Sequence, residues 1–112
     1  MQAFHYAHVE ATPASGQPGL SVRWVMAENV RAPNFAMRVI DVQPGAATEH
    51  HSHGWEHEVF VLEGQGEVVD PRGQETTISV GTCVYVAPNE MHQFVNTGRG
   101  VLRFICVIPN PA

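Results

Sequence analysis

The stretch Gly45-Ala46-Ala47-Thr48-Glu49-His50-His51-Ser52-His53-Gly54-Trp55-Glu56-His57-Glu58-Val59-Phe60-Val61-Leu62-Glu63-Gly64 decides the fold, and it carries four of the chain's seven histidines. It follows an apolar segment, Ala36 to Val42, that runs into a Pro44-Gly45 turn signal. His57 to Glu63 has the composition of a strand and stops at Gly64. Side chains alternate between the faces of a strand, so extended backbone through the run would put His51, His53 and His57 on one face and His50, Glu56 and Glu58 on the other. Gly54-Trp55 can interrupt that parity, which leaves Glu58 as an alternative to His57. Imidazole suits Mn, Fe, Co, Ni, Cu and Zn, and its ordinary pKa of about 6.5 leaves it neutral near pH 7. A histidine-rich surface loop without a ligand would read the same way from this run alone.

Working outward, the remaining pieces are short and strand-like. Leu20 to Ala32 is the one segment long enough for several helical turns, yet Val22, Trp24 and Met26 alternate as in a strand. Glu67 to Asp70 and Glu75 to Val80 flank Pro71-Arg72-Gly73 and read as a hairpin. Thr82 to Val86, His92 to Val95 and Val101 to Ile108 complete the set, and residues 10 to 19 form a surface loop behind an N-terminal strand. Seven or more short strands with frequent turn signals predict an all-β sandwich or barrel. Antiparallel pairing would bring His92 beside the first three histidines. Val59 and Val61 alternate with Phe60 and Leu62, and Leu102, Phe104 and Cys106 with Ile105 and Val107. Both faces of these strands are therefore apolar, which predicts a homodimer packed sheet on sheet.

A chain of 112 residues, 44% hydrophobic and 15% charged, fits one domain spanning 1–112. It has six Arg and no Lys against eleven acidic residues, a net charge of −5. That balance argues against nucleic-acid binding, and the missing lysine removes Schiff-base and P-loop chemistry. No apolar run approaches the roughly 20 residues of a membrane span, and Met1-Gln2-Ala3-Phe4-His5-Tyr6 lacks the features of a signal peptide, so a cytoplasmic protein is expected. Cys83 and Cys106 read as buried free thiols.

The spacing resembles the cupin superfamily. The family's first motif, G(X)5HXH(X)3,4E(X)6G, is met by Gly45, His51, His53 and Gly64, with His57 where the family usually has Glu. The second, G(X)5PXG(X)2H(X)3N, is met by Gly81, His92 and Asn96, with Ala87 for Pro and Asn89 for Gly. Asn tolerates a left-handed backbone and can keep that turn. The resemblance covers about 36–108 and implies a double-stranded β-helix, or jelly-roll barrel. It further implies metal ligands His51, His53, His57 and His92, like those of small four-histidine cupins that carry manganese or another divalent first-row metal such as Fe, Ni, Co, Cu or Zn.

Four neutral ligands would leave the ion's charge uncompensated and two octahedral positions open. Glu49, Glu56 or Glu58 would tune the imidazoles, and unperturbed imidazoles would lose the metal below about pH 6. Phe94, Phe104, Cys106, Trp55 and Arg38 are the candidate pocket lining. Ser52 faces away from the ligands and no independent nucleophile and base are evident, so any catalysis is expected to be metal-centred. The leading expectation is an oxygenase-type enzyme acting on a small organic substrate. A non-redox isomerase or lyase, and a binding module without turnover, are the alternatives.

Overall fold

Glycine and proline leave Leu20 to Ala32 as the one segment long enough for several helical turns, while Val, Ile, Phe and Thr favour extended backbone. The computed structural model, which describes residues 1–110, accordingly has nine strands among those residues. They are β1 (Thr12–Pro13), β2 (Leu20–Met26), β3 (Phe35–Val42), β4 (His57–Glu63), β5 (Gln65–Val69), β6 (Glu75–Ser79), β7 (Cys83–Val86), β8 (Gln93–Asn96) and β9 (Leu102–Pro109). The first six-stranded sheet runs β1-β2-β3-β9-β4-β7, and the second runs β6-β5-β8. All pairings are antiparallel, and the two sheets make the expected double-stranded β-helix. Among the described residues helical backbone is confined to single 3-10 turns at Tyr6–His8 and Glu28–Val30; the second ends the segment that began as β2. Among the described residues no helix is long and apolar enough to cross a membrane.

Strand parity separates the two faces. Ala36, Ile40 and Val42 of β3, Val59 and Val61 of β4, and Leu102, Phe104 and Cys106 of β9 are buried between the sheets. Ile78 and Phe94 close the core from the second sheet. On the opposite face, Phe60 and Tyr85 remain 44% and 60% exposed beside half-buried Val107, and this is the face from which the sequence predicts a dimer. Cys83 lies there too and is exposed, contrary to its expected burial, because its position on β7 faces outward. Cys106 is buried, and both thiols are free.

The N-terminal residues are tied to the outer surface of the large sheet. Arg23 donates to the carbonyls of Ala7 and Val9, and the Tyr6 ring centroid lies 5.7 Å from the Arg23 guanidinium and 5.5 Å from that of Arg103. Arg103 in turn binds Asp41 through two nitrogens, at 2.7 and 3.1 Å, and Glu63 at 2.6 Å. The expected N-terminal strand and loop thus reduce to a 3-10 turn and the two-residue edge strand β1.

Gly64 turns β4 into β5 with φ +89°, and a Cβ there would strike the Val101 carbonyl oxygen. Gly45 has a similar φ of +80° with nothing within 4 Å of its would-be Cβ. Gly45→Ala is therefore expected to cost about 1 kcal/mol from backbone strain alone, and Gly64→Ala about 3 kcal/mol or more. Urea denaturation of the two variants measures the difference; equal costs would show that the close approach at Gly64 is unimportant.

Candidate metal centre

The histidine-bearing run between Gly45 and β4 is mostly loop, not the strand that parity assumed, and it is positioned by hydrogen bonds to the segment around β8. His51 and His92 form an antiparallel bridge, with His51 N donating to His92 O at 3.2 Å and His92 N donating to His51 O at 3.0 Å. Directly opposed residues of such a pair point their side chains to the same face, so this bridge alone juxtaposes two imidazoles from distant parts of the chain. Thr48 N donates to Phe94 O at 2.8 Å on one side, and Asn89 N to His53 O at 2.7 Å on the other. Asn89 has φ +67°, the left-handed conformation expected of it in place of glycine. His57 follows as the first residue of β4 and points inward, while Glu58 points to the outer face.

Three of the rings are held in one tautomer. Nδ1 of His51 lies 2.7 Å from the Glu49 carbonyl oxygen, Nδ1 of His53 2.8 Å from that of Trp55, and Nδ1 of His92 2.9 Å from that of Glu90. A carbonyl can only accept, so each Nδ1 carries the proton and each Nε2 presents a lone pair. Main-chain carbonyls thus do the orienting expected of the Glu49, Glu56 or Glu58 carboxylates. The ligand atoms of His51, His53 and His92 lie within 4.8 Å of one another. Converging lone pairs repel unless a cation or a proton sits among them, and a set of neutral imidazole nitrogens matches a divalent first-row transition metal.

His57 adjoins this trio. Its ring centroid is 4.4 Å from that of His53 and 5.1 Å from that of His92, and its Nε2 is 2.5 Å from His53 Nε2. Its Nδ1 faces no carbonyl; it meets Cys106 Sγ at 2.7 Å and Arg38 Nη2 at 3.3 Å. His57 therefore has two arrangements open to it. It can donate Nδ1–H to the sulfur and turn a lone pair towards the cluster, or donate Nε2–H to His53 and accept from Arg38.

The cluster lies at a cavity of about 390 Å³ between the sheets. Phe94, Phe104, Cys106, Trp55 and Arg38 all line it. Trp55 stacks on His53 with ring centroids 4.2 Å apart and planes 5° from parallel. Sequence reasoning missed Trp24, whose ring lies 5.3 Å from the Arg38 guanidinium, and the β3 residue Ile40. The signal for Trp24 was its place in an alternating run, which says that one face is special but not which. His50 is exposed, and His5 and His8 lie at the N-terminal 3-10 turn, outside this site.

A profile of the cupin domain matches residues 38–108. The chain belongs to the cupin family. It is similar to the polyketide cyclase RemF from Streptomyces resistomycificus, at 29% identity with a TM-score of 0.91 over 97% of this cupin and 79% of that chain. It is similar in fold to a sugar phosphate isomerase from Silicibacter pomeroyi, at 23% identity, TM-score 0.85, over 97% and 76% of the respective chains. Among curated proteins it matches an oxalate-binding protein of Thermotoga maritima, at 33% identity over 66 residues, 58% of this chain and 54% of that one. The match spans about half the length of that relative.

Burial favours the neutral form of three imidazoles of this cupin, His53, His57 and His92. His57 is pushed down to about 3, first by desolvation and then by the Arg38 charge. His53 and His92 are also lowered by burial, against the raising effect of their carbonyl partners. Proton competition at these three positions accordingly starts below the value for free imidazole, lower than the sequence alone suggests. For His57 the folded value lies below the unfolded one, so the unfolded chain takes up the proton first and stability falls as pH drops from about 6.5 towards 3. In metal-free protein this contributes up to about 1.4 kcal/mol per pH unit. Chemical denaturation between pH 4 and 7 (~) should show a shallower pH dependence in His57→Gln than in the parent; identical slopes would contradict the buried neutral imidazole.

Proposed function

We propose that this cupin holds one divalent first-row ion, manganese first among the candidates, on His51, His53, His57 and His92, and uses it in a non-oxidative ring closure or isomerisation of a small enolisable compound. The convergence of imidazole nitrogens at an apolar cavity carries this reading. An ion held there would act as a Lewis acid, polarising a carbonyl or enolate oxygen and stabilising the negative charge that develops on it. His51, His53 and His92 supply ligand nitrogens already oriented by carbonyls, so little reorganisation accompanies binding. Phe94 and Phe104, stacked with centroids 4.9 Å apart, wall off water and offer a flat apolar surface to the substrate skeleton. The likeness to a polyketide cyclase over nearly the whole chain supports the reaction class.

In the oxygenase reading, four protein ligands would leave two octahedral positions for a substrate oxygen and a second small molecule. Against it stands Cys106, a thiol whose sulfur is 2.7 Å from His57 Nδ1, where a reactive oxygen species formed in the cavity would oxidise it.

Metal analysis after dialysis tests the ligand set. His51→Ala, His57→Ala and His92→Ala are each expected to retain under about 0.1 equivalent of Mn(II), and His50→Ala about one equivalent; full retention by His57→Ala would reduce the set to three histidines. Turnover of linear poly-β-ketone and β-diketone substrates, followed with and without oxygen, tests the reaction. Equal rates support the proposal, oxygen consumption selects the oxygenase, and a stoichiometrically loaded protein without turnover would be a binding module.

A further inference from the structure

The cavity holds a cation that no carboxylate among the described residues pairs with. Arg38 projects inward from β3, opposite Cys106 of β9, under the Trp24 ring. Its Nη2 meets Cys106 Sγ at 3.1 Å and His57 Nδ1 at 3.3 Å, both of them groups without a negative charge in their buried forms. Its Nε is buried and has no hydrogen-bond partner. Among the described residues the carboxylate ion pairs all belong to Arg103, on the outer surface. Glu49 is the acidic residue lining the cavity, and it is exposed.

An interior guanidinium without a counter-charge is costly, and such a charge is normally matched by a partner. The remaining walls are mostly apolar and include four aromatic rings, Trp24, Trp55, Phe94 and Phe104, with Gln17 and Thr48 as polar exceptions. We infer that Arg38 is the specificity determinant of this cavity, and that its ligand is a flat, conjugated organic anion, a carboxylate or an acidic enol or phenol, whose charge Arg38 receives while the ring lies against the aromatic walls. This rests on the reading above, in that the same cavity is the substrate site, and it narrows the enolisable compound to one that arrives charged. Trp24 holds the guanidinium from one side by a cation–π contact and Cys106 Sγ accepts from Nη2, so the charge is presented in a fixed orientation. A neutral ligand of the same shape would leave it unpaired. The preference should therefore be large, because a charge-assisted hydrogen bond in a partly desolvated site is stronger than one in water.

Benzoate and its neutral isostere benzamide provide the test, titrated at pH 7.5 (~) into metal-free and Mn(II)-loaded protein with tryptophan fluorescence and calorimetry as readouts. Benzoate should bind about ten-fold or more tightly than benzamide in both forms, since the Arg38 charge does not depend on the ion. In metal-free protein Arg38→Gln should abolish the preference and Arg38→Lys should restore part of it, while Arg38→Gln still retains about one equivalent of Mn(II) when loaded. Equal binding of the two probes by the metal-free parent, no binding of either, or a preference that survives in metal-free Arg38→Gln would overturn the inference. The parent comparison stands even if a variant fails to fold. Metal retention, read separately, reports on the four-histidine site, so failure of one reading is distinct from failure of the other.

Discussion

The reciprocal main-chain hydrogen bonds between His51 and His92 are the constraint on which the centre depends. They are a single rung of antiparallel pairing outside the long strands, yet they join the two segments that carry the histidines. Because the rung belongs to the backbone, it sets the separation of the two imidazoles without help from the side chains. The neighbouring bonds, from Thr48 to Phe94 and from Asn89 to His53, keep the loop from pivoting about it. Three main-chain carbonyls then lock the tautomers, so the same irregular backbone that positions the rings also decides which nitrogen faces inward.

His57 is controlled differently, and this links the centre to the pocket. It is held by the regular strand β4, and its outer nitrogen contacts Cys106 and Arg38, which β9 and β3 bring opposite each other. The positive guanidinium and the buried surroundings both disfavour a charged imidazole, so a neutral ring persists beside a cation. Burial raises the Cys106 thiol while Arg38 opposes that rise, which is the balance expected of a sulfur wedged between core and cation. The charge that helps to keep His57 neutral is thus the same charge proposed to select the cavity's occupant by its sign.

Much of the architecture was legible from residue pattern. The His57–Glu63 strand, its stop at Gly64, the hairpin around Pro71-Arg72-Gly73 and the turn at Asn89 depend on backbone preferences that act within a few residues. The inward histidine face was also legible, although through an imperfect argument: residues 51 to 56 are loop, and the rings converge because of cross-chain bonds and not because of an unbroken strand period. The exposure of Cys83 and the docking of the N-terminus on Arg23 and Arg103 had no local signal, since each depends on which elements lie alongside.

The sequence by itself determined the strand-rich class, the motif spacing and the identity of the imidazoles, because turn chemistry, period-two patterning and ligand type are properties of short segments. Only the tertiary structure decided that Arg38 faces inward beneath Trp24, that Cys106 touches His57, and that carbonyls instead of carboxylates orient the other three rings. The placement of Arg38 follows from register: β3 pairs with β9 so that Arg38 meets Cys106, and a shift of one residue would send the guanidinium to the outer face.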